Sequence, residues 1–155
     1  SNAMGAPADP AADCWMLLSN ELCRQAVTRG ELVLRGTGRE RRDFIPLSDV
    51  ARAVDHFLRL PAEAWGDGVF NVGSGRSRSS YEMAGLIAER CVNVLGFAPP
   101  IRCATPPGED TGGDLHYRND KLLATGFRPG GDEGAEIEAT LSLCRAAFAA
   151  KATTG

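Results

Sequence analysis

Short apolar segments that alternate with turns and helical patterns are the feature that most restricts how this chain can fold. Residues 31–36 (ELVLRG) and 42–47 (RDFIPL) are two such β-like segments, and apolar residues recur at helical spacing from Val50 to Leu58. Pro46 limits the second segment to a short or edge strand, because proline donates no ladder hydrogen bond. Strands that alternate with helices predict an α/β fold.

Capping signals mark where the remaining helices begin and end. Ser79 followed by Glu82 is a capping box. Glycine after a helical pattern is a common terminator. We predict helices that begin after Asp13, after Ser48 or Asp49, after Ser79, after Asn119 and after Asp132, with ends at Gly30, Gly96 and Gly126. We also predict a strand at 69–75 (VFNVGSG) and one within 99–114.

Composition restricts the class of partner. With 155 residues the chain has the length of about one domain, and its net charge of −3 does not predict a nucleic-acid partner. No apolar run approaches the ~20 residues that a membrane-spanning helix needs. Five cysteines without C-x-x-C spacing predict free thiols in a reducing cytoplasm and no metal site.

Two further motifs allow a functional and a structural interpretation. The turn 73–80 (GSGRSRSS) could bind an anion through Arg76 and Arg78, but we favour a solvated strand-to-helix turn. Tyr117 and Lys121 match the Y-x-x-x-K spacing of a proton-transfer pair, but Tyr117 precedes the predicted helix cap Asn119, so we do not expect the two to share a helical turn. Neither 36–41 nor 73–80 has the G-x-G-x-x-G fingerprint of a dinucleotide loop, so we expect no cofactor to be bound by this chain.

Arg42 lies at the start of a predicted strand, from which its guanidinium could grip a diphosphate bidentately. Asp43 beside it could orient that guanidinium or cap a neighbouring turn. An ordinary surface ion pair is the alternative for Arg42, and composition alone favours that alternative.

The order of the motifs resembles the C-terminal part of the extended short-chain dehydrogenases/reductases, the NAD-dependent epimerase/dehydratases that act on nucleotide sugars. The resemblance runs through GELVLRGTGRERRDFIPLSDVARAV, GVFNVGSG, SSYEMAGLI, PPGED and KLLATGFRP, in the order in which the family has their counterparts. It implies the C-terminal portion of an NAD(P)-binding Rossmann-like fold, with short strands alternating with helices. Independently of the resemblance, SNA directly before Met4 indicates a tag remnant at 1–3, and the Pro/Ala-rich residues that follow indicate an extended lead-in at 4–12. We expect a substrate-binding domain of the epimerase/dehydratase type at 13–150 and a disordered tail at 151–155.

The same resemblance implies the site. The arginine of R-D-F contacts the nucleotide-sugar diphosphate in this family, which gives Arg42. Backbone of the preceding strand lies against the base, which gives Val33, Leu34 and Gly36. Glu109 stands where the family has an aspartate, and Pro106 where it often has a second phosphate-binding arginine.

The family's glycine fingerprint and its catalytic Tyr and Lys lie upstream of the region matched. We therefore expect a nucleotide-sugar-binding portion of an epimerase (an isomerase) or a dehydratase (a lyase), inactive by itself, with NAD(P) implied for the full-length family. Its partner would be the missing Rossmann half or, in a dimer, a second copy of the chain. A non-catalytic ligand-binding or scaffolding module of the same fold, or one half of a split enzyme, is the alternative.

Overall fold

A computed structural model describes residues 1–105 and 115–149 of the protein. The strands are short: β1 Asn2–Met4, β2 Leu32–Leu34, β3 Arg41–Pro46, β4 Ser77–Ser79 and β5 Ile101–Cys103. The helices are α1 Leu18–Arg29, α2 Leu47–Arg59, α3 Ser80–Leu95, α4 Asp120–Ala124 and α5 Glu133–Phe148, and Ala62–Ala64 form one 3₁₀ turn. The predicted α/β class is confirmed. Glu109, Pro106 and the tail 151–155 lie outside the described residues.

The strands form two small sheets. In the first, β3 is central, with β1 parallel on one side and β4 antiparallel on the other. The second consists of β2 and β5 in parallel, with Leu32 opposite Ile101 and Leu34 opposite Cys103. The antiparallel register places Arg42 opposite Arg78. Because successive strand residues point to opposite faces, Arg41 and Asp43 share one face and Arg42 faces the other way.

The main core lies among α1, α3 and α5, which pack on one another, and α1 and α3 also pack on β2. The buried residues of these helices include three cysteines. The largest side chains of this cluster that are almost completely buried are Met4, Leu22, Leu32, Met83, Ile87, Ile137 and Leu141. A second, smaller core beneath α2 contains Ala53, Leu122 and Phe127.

Four of the predicted caps are confirmed. The Ser79 hydroxyl accepts a hydrogen bond from the Glu82 N–H at 3.0 Å, and the Glu82 carboxylate accepts one from the Ser79 N–H at 2.6 Å. The Asp132 carboxylate accepts from the Ala135 N–H at 3.0 Å. Gly30 and Gly96 both end helices in the left-handed conformation.

Three predictions about helix starts are wrong in whole or in part. The first helix begins at Leu18, not next to Asp13. Asp49 does not cap α2. It accepts hydrogen bonds from the backbone N–H groups of Gly130 and Gly131 instead. Asn119 is the N-cap residue of α4, as predicted, but its side chain makes no capping hydrogen bond and donates instead to the Gly73 carbonyl at 2.9 Å.

The segment 69–75 is not a strand in the described part of the chain. Its carbonyl groups accept hydrogen bonds from side chains: Val69 from Lys121 Nζ at 2.7 Å and Val72 from the Tyr117 hydroxyl at 3.3 Å. A β-like sequence becomes a strand only where another strand supplies the ladder. Residues 1–3, assigned from the sequence to a tag remnant, contribute Asn2 and Ala3 to β1, where they pair with Phe44 and Ile45.

Candidate functional site

A cleft of about 260 Å³ lies between the start of α1, the end of β2 and the start of β3. All four of the described residues expected to bind substrate line it: Val33, Leu34, Gly36 and Arg42. The structure thus brings these residues together, while their role in binding remains a prediction. The rest of the lining consists of Met16, Leu18, Glu21, Arg35, Glu40 and Ser80.

Arg42 reaches the cleft because of strand alternation. Its neighbour Arg41 points to the opposite face, where it donates to the hydroxyl and the carbonyl of Ser77, both at 2.9 Å. Arg42 is exposed, and within residues 1–105 and 115–149 no hydrogen bond or ion pair engages its guanidinium. Among the described residues, Arg42 therefore does not form the ordinary surface ion pair that was the alternative interpretation. Arg42 lines the cleft, and the five N–H donors of its guanidinium have no acceptor among the described residues.

Asp43 serves the neighbouring turn and does not orient Arg42. Its carboxylate is buried and accepts hydrogen bonds from the Ser74 N–H at 2.9 Å, the Ser74 hydroxyl at 2.9 Å and the Arg76 N–H at 3.1 Å. Of the two roles considered for Asp43, the structure shows the second. Arg42 therefore lines the cleft, whereas Asp43 stabilises the neighbouring turn.

The backbone at the end of β2 is held on both sides. The Gln25 carboxamide accepts from the Val33 N–H at 2.7 Å and donates to the Val33 carbonyl at 3.3 Å. On the other side, the Ala104 N–H donates to the Leu34 carbonyl at 2.8 Å. The groove wall is thus preorganised before any ligand arrives. The N–H and carbonyl groups of Val33 are therefore already paired with Gln25.

The turn after β2 is fixed to the start of α3. The Ser80 N–H donates to the Glu40 carbonyl at 3.0 Å, and the Tyr81 N–H donates to the Gly38 carbonyl at 2.8 Å. Gly38 has φ +79°, and a Cβ there would lie 3.0 Å from Leu34 Cδ1. Glycine is therefore required at the tightest point of this turn. The turn leads into a strand, as the sequence indicated for 36–41.

The cleft carries four ionisable side chains of both signs: Glu21, Arg35, Glu40 and Arg42. Arg35 Nη2 donates to Glu21 Oε1 at 2.7 Å, which joins β2 to α1 across one wall. Sequence analysis missed Glu21, Arg35 and Glu40. One available signal was the helical spacing of Leu18, Glu21 and Gln25, which places these three residues on one side of α1.

The other candidate sites have structural explanations. Arg76 and Arg78 both pair with Glu133, at 2.9 Å and 2.8 Å, so their charge is shared with a carboxylate. Lys121 contacts Asp67 and lies 4.8 Å above the Phe70 ring, while the Tyr117 hydroxyl donates to Val72.

Burial and the nearby Asp43 carboxylate raise the pKa of Tyr117. A proton-transfer tyrosine needs the opposite shift, so this pair is not arranged for catalysis.

Among residues 1–105 and 115–149, no helix has the length and apolar character needed to cross a bilayer. The same residues contain no group of three or more potential metal ligands.

The comparisons with known proteins point to one class: the chain resembles the NAD-dependent epimerases and dehydratases. A model of the NAD dependent epimerase/dehydratase family matches residues 10–73, which include β2, β3 and the whole of α2. The resemblance inferred from the sequence is thereby confirmed.

Individual curated proteins and solved structures are also similar to this chain. The ADP-L-glycero-D-manno-heptose-6-epimerase of Pseudomonas paraeruginosa is 40% identical over 86 residues, which are 51% of this chain and 25% of that protein. An NAD-dependent NDP-hexosamine 5,6-dehydratase of tunicamycin biosynthesis is 29% identical, with a TM-score of 0.61 over 96% of this chain and 45% of its own. RMD of Pseudomonas aeruginosa, solved with NADPH, has a TM-score of 0.66 at 21% identity, over 94% of this chain and 46% of its own. The chain spans less than half the length of these relatives.

Proposed function

We propose that this chain is the nucleotide-sugar-binding portion of an NAD(P)-dependent epimerase or dehydratase. The guanidinium of Arg42, which lines the cleft and has no partner among residues 1–105 and 115–149, carries this proposal. A diphosphate offers paired oxygen atoms that match the planar fork of arginine, and such charge-assisted pairs are among the stronger hydrogen bonds in proteins. Two of the relatives are named for nucleotide-linked sugars, which supports the same ligand class.

The neighbouring strand would supply the rest of the grip. Val33, Leu34 and Gly36 form a wall whose backbone is fixed by Gln25 and β5. We propose that the nucleoside lies along this wall while its diphosphate reaches Arg42. Glu109, which we expect to take part as well, lies outside the described residues.

The chain would bind substrate without carrying out chemistry. In the full-length family the reaction uses NAD(P), which exchanges a hydride with the sugar. Tyr117 and Lys121 are held apart by their own partners and do not replace a catalytic pair. We therefore propose that the isolated chain shows no turnover. We also propose a cytoplasmic location, since its five free thiols suit a reducing compartment.

The partner would be the cofactor-binding half of the enzyme. The outer face of α2 carries three apolar side chains at helical spacing, Leu47, Val54 and Leu58, with Val54 56% and Leu58 79% exposed. Phe57 on the same helix contacts Phe70, which connects this face to the extended segment 69–73. The relatives contain more than half of their length outside the region that this chain matches, and we propose that such polypeptide covers the α2 face.

Ligand titration tests the binding function. UDP-glucose, ADP-glucose, GDP-mannose and dTDP-glucose are titrated into the 155-residue chain by calorimetry, with thermal unfolding as a second measurement. We expect at least one of them to bind and to raise the melting temperature by mass action. Arg42→Ala should abolish both effects, whereas Arg59→Ala on α2, away from the cleft, should leave them unchanged. Absence of binding to the unmodified chain would contradict the proposal.

The same titration distinguishes the proposed nucleotide-sugar binding from the alternative function. A non-catalytic sensing or scaffolding module would bind a ligand of another class, or none of these four. Turnover of any bound nucleotide sugar by the purified chain with added NAD would contradict the proposed lack of activity.

A further inference from the structure

We infer that Arg35 is a second phosphate-binding cation of this cleft and that Glu21 tunes its strength. The inference rests on the proposed nucleotide-sugar function and adds a specificity-determining pair to it. Arg35 and Arg42 line the same cleft from different elements, one just after β2 and the other within β3. Two arginines on neighbouring walls match the two negative charges of a diphosphate diester.

The charge of the cleft supports a second cation. The ionisable side chains among its described lining residues are two arginines and two glutamates, whose formal charges cancel. Arg42 alone balances one of the two negative charges of a diphosphate diester. Among the described residues that line the cleft, Arg35 is the other positively charged side chain that could balance the second.

The contact that Arg35 now makes leaves it available. Its side chain is 70% exposed, and the bond to Glu21 uses one terminal amino group of a guanidinium that carries five donors. Ion pairs exposed to this degree contribute little to stability. A phosphate oxygen can therefore share or replace the carboxylate at small cost, and bidentate pairing with phosphate is favoured by geometry.

Glu21 is placed to set the affinity. Its side chain is only 17% exposed, and it lines the cleft from α1. A fixed carboxylate beside Arg35 opposes an incoming phosphate, so the anion must compete for the guanidinium. This arrangement would favour ligands whose two phosphates reach both arginines over a monophosphate, which would reach one.

A purely structural brace between β2 and α1 is the competing explanation, and the two make opposite predictions for Glu21. If the pair is a brace, Arg35→Ala and Glu21→Gln should both lower stability and leave ligand affinity unchanged. If Arg35 binds phosphate, Arg35→Ala should weaken binding while Glu21→Gln, which removes the competing charge, should strengthen it.

The experiment is calorimetric titration of the tightest-binding nucleotide sugar from the four above, and of the matching nucleoside monophosphate, into the full chain and its variants. We expect Arg35→Ala to weaken binding of the nucleotide sugar by about tenfold, the effect of losing one charge-assisted contact. Arg35→Lys should be intermediate, because it retains the charge but loses the planar fork. Glu21→Gln should tighten binding several-fold, and the monophosphate should respond less to both changes.

The outcomes separate the two proposals. Binding that is lost in Arg42→Ala but unchanged in Arg35→Ala and Glu21→Gln would overturn the role of Arg35 and leave the proposed function intact. No binding of any nucleotide sugar to the unmodified chain would overturn both. Thermal unfolding of each variant without ligand shows whether a lost affinity reflects a damaged fold.

Discussion

The carboxylate of Asp43 accepts hydrogen bonds from both the backbone N–H and the hydroxyl of Ser74, a residue 31 positions later in the chain. This relationship fixes the turn after residues 69–73 to the central strand β3. The same strand presents Arg42 to the cleft on its other face. The position of the candidate site therefore depends on a buried carboxylate that does not take part in it.

Replacing Asp43 with Asn should destabilise the protein. The substitution retains the shape of the side chain but directs amide hydrogens at N–H groups that need an acceptor. We expect a loss of about 1–3 kcal/mol in the free energy of unfolding, measured by urea denaturation. Asp55→Asn, at an exposed helical ion pair, is the control and should change little. Equal stability of the two variants would contradict the role given to Asp43.

Gly73 should not tolerate a side chain. A Cβ at this position would lie 2.4 Å from Cε1 of Tyr117 and 2.9 Å from the Asp43 carboxylate. Gly73→Ala should therefore cost about 1–3 kcal/mol through overpacking. Gly85→Ala is the matched control, because nothing lies within 4 Å of its Cβ and the residue is inside α3. That change should stabilise the protein by about 0.5–1 kcal/mol, since glycine disfavours helices.

The five thiols should fall into two groups by their reactivity in the folded protein. Burial raises the pKa of Cys91 to about 11 and that of Cys144 to about 12, and it also raises the pKa of Cys23 well above its ordinary value. Cys14 and Cys103 are half-buried. In a thiol titration at pH 8 we expect these two to react in the folded protein and the other three only after unfolding. Fast labelling of Cys144 in the native state would contradict this.

The same shifts predict a loss of stability at high pH. A thiol with a raised pKa in the folded state stays protonated there while it ionises in the unfolded chain. Its contribution is complete below pH 9 and disappears as the pH rises towards 11 for Cys91 and 12 for Cys144. Urea midpoints measured from pH 8 to 11 should fall more steeply for the unmodified chain than for Cys144→Val. Parallel slopes would show that this thiol does not contribute.

The α2 face should bind an apolar dye when nothing covers it. Leu58→Glu should reduce the fluorescence of anilinonaphthalene sulfonate, because it removes the most exposed of the three side chains. Sedimentation velocity should show a monomer for both proteins if the natural partner is the cofactor-binding half. A dimer of the unmodified chain that Leu58→Glu dissociates would instead identify a second copy as the occupant.

Local signals predicted the parts of the fold that depend on neighbouring residues. Ser79 with Glu82, Asp132, Gly30 and Gly96 act within one turn of a helix, so their spacing in the sequence was sufficient. Arg42 was predicted from a family resemblance, and the structure places it on one cleft with Val33, Leu34 and Gly36.

Features that depend on distant residues were not predictable from local patterns. Asp49 has the position of a helix cap, but its carboxylate bonds Gly130 and Gly131, more than 80 positions away. The pairing of Arg35 with Glu21 likewise appears only when α1 packs beside β2. Nothing in the apolar segment 69–75 reveals that no strand lies next to it in the described structure.

Gln25 has a consequence for the solution behaviour of the protein. Its carboxamide occupies the N–H and carbonyl of Val33, the hydrogen-bonding groups through which an incoming strand would extend the two-stranded sheet at β2. A helix side chain thus closes this edge, in the way that natural proteins protect open strands from self-association. Gln25 therefore blocks the addition of another strand at the same place where it fixes the cleft wall.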